Sequence, residues 1–144
     1  MKLLTLAEPR LAIRTTRLGK RYQSGQNSVT VFENLDLEIR EGERLALTGE
    51  SGAGKSTLLH LLGGLDRPTE GCIQYGDLEL TALSEAGLAD FRNRHVGFVW
   101  QIHYLLPEFS ALENVMMPLL IRGVQPAEAS RNARERLEEV GLGA

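Results

Sequence analysis

A single cysteine, Cys72, among 144 residues excludes an internal disulfide. It fits a reducing compartment, where a lone thiol near a strand start serves as a small packing residue. Long hydrophobic runs are missing too. The two longest, 58–65 and 115–121, fall well short of the roughly 20 residues a spanning helix needs, and Pro118 interrupts the second. The start of the chain, residues 1–7, has an apolar part too short for a secretory signal, and Glu8, Pro9 and Arg10 break it, so it reads as a loose leader. There is no basic excess: a net charge of −3 offers no electrostatic footprint for nucleic acid, and no nucleic-acid partner is expected. The three histidines, His60, His95 and His103, lack metal-ligand spacing. Repeats and low-complexity tracts are absent, and the composition is that of ordinary globular protein.

What is present centres on Gly49-Glu50-Ser51-Gly52-Ala53-Gly54-Lys55-Ser56, which satisfies the phosphate-loop pattern G-x-x-x-x-G-K-S/T. Glycines let such a backbone fold back on itself so that successive N–H groups converge on an anion. The helix that follows adds the positive end of its dipole. In this pattern Lys55 reaches the β- and γ-phosphates, the Ser56 hydroxyl ligates Mg²⁺, and Thr57 adds a further hydroxyl. The apolar stretch 45–48 reads as the strand leading into the loop, and 56–62 as a buried helix ended by Gly63 and Gly64. Residues 61–66 superficially resemble a strand ending in a metal-binding aspartate, Asp66. They are contiguous with the loop helix, contain two glycines and are followed by Arg67, so that reading is rejected.

Around the loop, 11–15 reads as a strand running toward Tyr22, 23–28 as a polar loop, and 35–39 as a half-buried strand that alternates apolar and acidic residues. Residues 41–43 form a tight turn, so 35–39 and 45–48 are expected to pair antiparallel. A strand over 72–75 ends in a turn at Gly76 and Asp77, and Ser84 caps a helix over 85–93. Residues 96–100 read as a buried strand delivering Gln101. Helices are expected over 111–121, limited or kinked by Pro118, and over 126–140, with Pro126 in its first turn and Gly141 past its end. Arg131, Arg134 and Arg136 with Glu135, Glu138 and Glu139 read as a solvated face with local ion pairs.

Which phosphate-loop family is at hand depends on the other residues. The GTPase motifs D-x-x-G and N-K-x-D do not occur, and no arginine-rich lid of a small nucleotide kinase is evident. Tyr22 at a strand end, the unbroken run 58–71 after the loop, and Gln101 closing 96–101 together resemble the nucleotide-binding domain of ABC transporters. The likeness covers about residues 11–142. It implies an incomplete ABC-type P-loop NTPase of the α/β class, with an N-terminal antiparallel β subdomain and the start of a helical subdomain. The expected division is about 10–101 for the β and phosphate-loop core and about 102–144 for the helical part.

The resemblance also implies roles. Tyr22 would stack on adenine. Gly49, Ser51, Gly52, Ala53, Gly54, Lys55, Ser56 and Thr57 would hold the phosphates of ATP, Lys55 also acting in catalysis. Ser56 and Gln101 would contact Mg²⁺, and Gln101 would position the attacking water. The stretch 101–121 further resembles the ATPase subunits of bacterial lipoprotein-releasing transporters; Trp100 departs from the Phe or Tyr usual there. The implied partners are membrane permease subunits and a second ATP-binding subunit in a head-to-tail homodimer, at the cytoplasmic face of the inner membrane. His103, Phe109, Met116 and Met117 lie in the stretch that would meet the permease. Neither the signature motif, nor a Walker B aspartate and its following glutamate, nor the later histidine is found in the sequence, so turnover by this chain alone is not expected. Two other readings stay open: a short product that binds ATP without turnover, and a macrolide-exporter-like or cell-division ATPase. With strands of the parallel sheet missing, Leu45, Leu47, Val96, Phe98 and Trp100 are expected to be partly exposed and the chain to be prone to aggregation.

Overall fold

The computed structural model describes residues 10–25 and 27–143. The leader reading of 1–7 lies outside the described residues. Two compact units are present, one running to Leu88 and the other from Ala89.

The first unit is built on a long hairpin. Strands β1 (Leu11–Ser24) and β2 (Asn27–Arg40) pair antiparallel almost from end to end, from Leu11 opposite Arg40 to Ser24 opposite Asn27. The segment 23–28 is therefore not the polar loop its composition suggests. Gln23 pairs with Ser28 and Ser24 with Asn27, Gly25 takes φ +61°, and Gln26 lies outside the described residues. Strand β3 (Glu70–Tyr75) lies along the other side of β1, and the two-residue β4 (Leu78–Glu79) closes the sheet in the order β2-β1-β3-β4, every neighbour antiparallel. The alternation read at 35–39 holds: Leu35, Leu37 and Ile39 are half-buried while Asp36 and Glu38 are exposed.

A bulge interrupts β1 between Thr15 and Leu18. Arg17 there has φ +45°, and its N–H donates to Asp36 Oδ1 at 2.6 Å, which satisfies a donor the ladder has lost. Gly71, at φ +77°, faces this bulge. A Cβ on it would overlap the carbonyl oxygens of Thr16 and Arg17, so the close strand approach depends on its hydrogen.

Helix α1 (Lys55–Leu62) lays Leu58, Leu61 and Leu62 into the core, an i, i+3, i+4 stripe, with Leu18, Ile73, Leu80 and Leu88 buried in the same unit. Its C-terminus closes on Gly64 at φ +66°: Gly64 N–H donates to Leu61 O at 3.1 Å and Leu65 N–H to His60 O at 2.8 Å. The half-buried Tyr75 donates its hydroxyl proton to Leu62 O at 2.6 Å, tying β3 to the end of α1.

Two expected strands do not form. Residues 43–50 and 96–100 have no regular structure. A strand exists only as a member of a ladder, and the one sheet among the described residues consists of β1 to β4. The partner of 35–39 is β1, not 45–48. Without a ladder the apolar side chains stay in solvent: Leu45 is 47% exposed, Trp100 41%, and Val99 fully exposed, while Leu47, Val96 and Phe98 are half-buried.

Helix α2 (Glu85–His95) begins as expected, with Gly87 N–H donating to Ser84 Oγ at 3.2 Å. In the second unit α3 (Ala111–Ile121) starts with a full capping box. Glu113 N–H donates to Ser110 Oγ, and the Ser110 N–H donates to Glu113 Oε2 at 2.8 Å. Pro118 does not end α3, which runs on to Ile121. Helix α4 (Pro126–Glu139) buries Ala129 and Ala133 and closes on Gly141 at φ +77°, with Leu142 N–H donating to Leu137 O. Of the ion pairs read on its face, Arg136 with Glu139 forms, at 2.7 Å.

Candidate nucleotide site

The phosphate-loop residues sit between an unpaired segment and α1. Gly49, Gly52 and Gly54 all have positive φ, at +150°, +82° and +84°. Gly54 occupies the N-cap position in the left-handed region, and a Cβ there would come within 2.6 Å of Val31 Cγ1. No side chain caps α1, so the N–H groups of its first turn point out of the helix without a side-chain acceptor. That is the arrangement in which a helix start takes an anion.

Lys55 folds back over this turn. Its Nζ donates to Gly49 O at 2.8 Å and Glu50 O at 2.6 Å. Ser51, Gly52, Ala53 and Ser56 are exposed, whereas Gly54 and Thr57 are half-buried. Among the described residues no group of three or more His, Cys, Asp or Glu could hold a metal ion by itself.

Tyr22, 41% exposed, stands in the same unit near the end of β1. Its hydroxyl donates to Asp66 Oδ2 at 2.7 Å. The bond to Asp66, with burial, raises the phenol above its ordinary value, while Thr57 works the other way. Asp66 in turn accepts Lys20 Nζ on Oδ1 at 2.7 Å and the Arg67 N–H at 2.7 Å. Burial pushes the Asp66 carboxyl up, but the bonds from Lys20, Tyr22 and Arg67 outweigh it and leave the group below its ordinary value. Lys20, only 8% exposed, also donates to Arg67 O at 2.7 Å and lies 4.6 Å from the centre of the Tyr22 ring. The structure therefore brings Tyr22 and Lys20 together on Asp66, in the turn that follows the loop helix.

Sequence reasoning missed Asp66 and Lys20. Lys20 and Asp66 are 46 residues apart, and no local pattern joins them; only the β1–β3 pairing brings Lys20 beside the turn that carries Asp66.

Gln101 belongs to the second unit, exposed in a bend. The segment around it is organised by aromatic contacts: Phe98 stacks on Trp100 at 5.0 Å, and Tyr104 meets Trp100 edge-on at 6.0 Å. Further along, the Asn114 amide fixes the turn before α3. It accepts Leu106 N–H at 2.9 Å and donates to the carbonyls of Leu106, Phe109 and Ser110. Tyr104, Leu105, Leu106 and Phe109 are left exposed. Met116 and Met117 are half-buried.

Residues 32–144 match the ABC transporter family. The chain belongs to that family. It is similar to the lipoprotein-releasing system ATP-binding protein LolD of Koribacter versatilis, with 54% identity over 87% of this chain and 56% of that protein. The LolD of Geobacter metallireducens is 56% identical over 87% of this chain and 56% of its own length. That of Chromohalobacter salexigens is 52% identical over 94% and 57%. The chain thus spans little more than half the length of the curated relatives it matches. Among solved structures it is similar to the dimeric post-hydrolysis state of the ATP-binding cassette MJ0796 bound to ADP and Pi, with a TM-score of 0.80 and 34% identity over 88% of this chain and 56% of that one. The fold is accordingly that of part of an ABC-type nucleotide-binding domain, with its antiparallel β subdomain and helices in place.

Proposed function

We propose that the chain is the ATP-binding subunit of an ABC transporter that energises release of lipoproteins from the inner membrane by ATP hydrolysis. The observation that carries the nucleotide reading is the uncapped start of α1, flanked by left-handed glycines and by Lys55, whose ammonium is held by two carbonyls of its own loop. Phosphates would replace those carbonyls as partners of Lys55 while Gly49, Ser51, Gly52, Ala53, Gly54 and Thr57 present backbone and hydroxyl donors. Ser56 and Gln101 would ligate Mg²⁺, which supplies charge neutralisation at the phosphates. Gln101 suits a water-orienting role, since an amide can accept from water and donate to phosphate without carrying charge. Tyr22 would receive the adenine ring.

The lipoprotein reading rests on the names of the relatives, at 52–56% identity. It implies LolC/LolE-like permease subunits as partners, a second ATP-binding subunit docked head-to-tail, and a peripheral position at the cytoplasmic face. Among the described residues no helix is long and apolar enough to cross a membrane. The exposed apolar run at 104–109 is the surface best suited to a permease contact.

Calorimetric titration with MgATP tests the first part. Binding by the wild-type chain, and loss of at least tenfold in affinity in Lys55→Ala with less than about 1 kcal/mol change in folding stability, is the expected result. Equal binding by the variant refutes the assignment. Co-purification with a lipoprotein-releasing permease tests the second part; capture by a macrolide-export or cell-division permease instead overturns it.

A further inference from the structure

Lys20, Tyr22 and Asp66 form a connected polar cluster that no phosphate-loop chemistry requires. Lys20 is almost fully buried and saturated: its ammonium meets the Asp66 carboxylate, the Arg67 carbonyl and one face of the Tyr22 ring. Asp66 accepts bonds on both oxygens, one from Lys20 and one from Tyr22. The Tyr22 hydroxyl is thereby anchored to a half-buried carboxylate, while the residue remains substantially exposed.

A ring on two rotatable bonds would ordinarily have to be ordered when a ligand stacks on it, at a cost in affinity. Here the ordering is built in. One face is covered by an ammonium, which also polarises the π-system, and the hydroxyl is tethered, so the opposite face is presented in a fixed orientation. We propose that Asp66, together with Lys20, is a positioning residue that fixes Tyr22 as a rigid platform for the base of a bound nucleotide. The inference rests on the nucleotide reading above and adds to its base contact at Tyr22 the residues that hold that ring. Asp66 itself touches no ligand in this scheme. Its effect passes through Tyr22.

The test separates base from phosphate. Affinities of the full chain for MgATP and for magnesium tripolyphosphate, which has no base, are measured by calorimetry for the wild type, Tyr22→Phe, Asp66→Asn and the double variant. Tyr22→Phe keeps the ring and the Lys20–Asp66 pair and removes only the tether, so it remains informative even if Asp66→Asn folds poorly. The expected result is a loss of about two- to tenfold in ATP affinity for each single variant, with tripolyphosphate affinity unchanged. The double variant should be no worse than the weaker single one, because both changes cut the same tether. Undiminished ATP binding by Tyr22→Phe overturns the proposal. So does a parallel loss of ATP and tripolyphosphate affinity, which marks a purely structural role. If the wild type binds tripolyphosphate as tightly as ATP, the base platform is refuted while the phosphate loop stands. If it binds neither, the nucleotide reading itself falls.

Discussion

Replacing Gly71 by alanine attacks the fold at its tightest strand contact. The residue sits at φ +77° opposite the β1 bulge, and an added methyl would collide with the backbone carbonyls of Thr16 and Arg17. Backbone cannot swing aside as a side chain can, so β3 must move away from β1. The left-handed conformation alone costs an alanine about 1–2 kcal/mol. Forced overpacking adds about 1–3 kcal/mol. Gly76→Ala is the matched control: φ is +55°, yet nothing lies within 4 Å of its new Cβ. Alanine stiffens the unfolded chain similarly in both variants, so that contribution cancels in the comparison. Gly71→Ala is therefore expected to unfold earlier than Gly76→Ala by about 1–3 kcal/mol. With a urea slope of about 1–3 kcal/mol/M the midpoints should separate by roughly 1 M. The assay is equilibrium urea unfolding followed by circular dichroism at low protein concentration. Coincident midpoints for the two variants would refute the steric argument, and with it the claim that Gly71 sets the approach of β3 to β1.

Other outcomes are equally specific. Ser110→Ala removes one half of the capping box and should destabilise α3 by about 1 kcal/mol, seen as faster amide exchange in the first turn of that helix; unchanged protection there counts against the box. Burial pushes the Tyr75 phenol up to about 12, from an ordinary value of 10.0, because the folded state disfavours the phenolate. Its contribution is thus complete below pH 10 and lost as pH climbs through 12, and Tyr75→Phe should lack that alkaline loss when urea midpoints are compared at about pH 9 and 11. The exposed apolar residues of 45–48 and 96–106 should make the isolated chain self-associate with rising concentration, and sedimentation as a single monomer at high concentration refutes this.

Much of the fold is readable because it depends on local signals. The alternation at 35–39 and the proline and glycine bracketing α4 act within a few residues, and they form as read. The capping box is equally legible in Ser110 and Glu113, though the sequence reading makes no use of it. What fails depends on distant partners. The stretches 45–48 and 96–100 have the apolar content of strands, but content does not supply a ladder. The polar residues around Gly25 look like a loop in isolation, yet Gln23 pairs with Ser28 and Ser24 with Asn27 across the strands. At the candidate site the glycine and lysine pattern marks the phosphate loop. Asp66 gives no such sign, because its importance comes from Lys20 and Tyr22, brought to it by the sheet.

The two carbonyls that hold Lys55 make the loop a competitor of its own ligand. On the nucleotide reading proposed above, an incoming phosphate would not meet a bare ammonium; it would displace Gly49 O and Glu50 O, so entry would be an exchange of oxygens. The same exchange runs in reverse on departure. As an anion left, the carbonyls would retake the charge, so the ammonium would not be left without oxygen partners. A loop built this way would give up some tightness of grip, because part of what a phosphate offers Lys55 is already supplied by its own backbone.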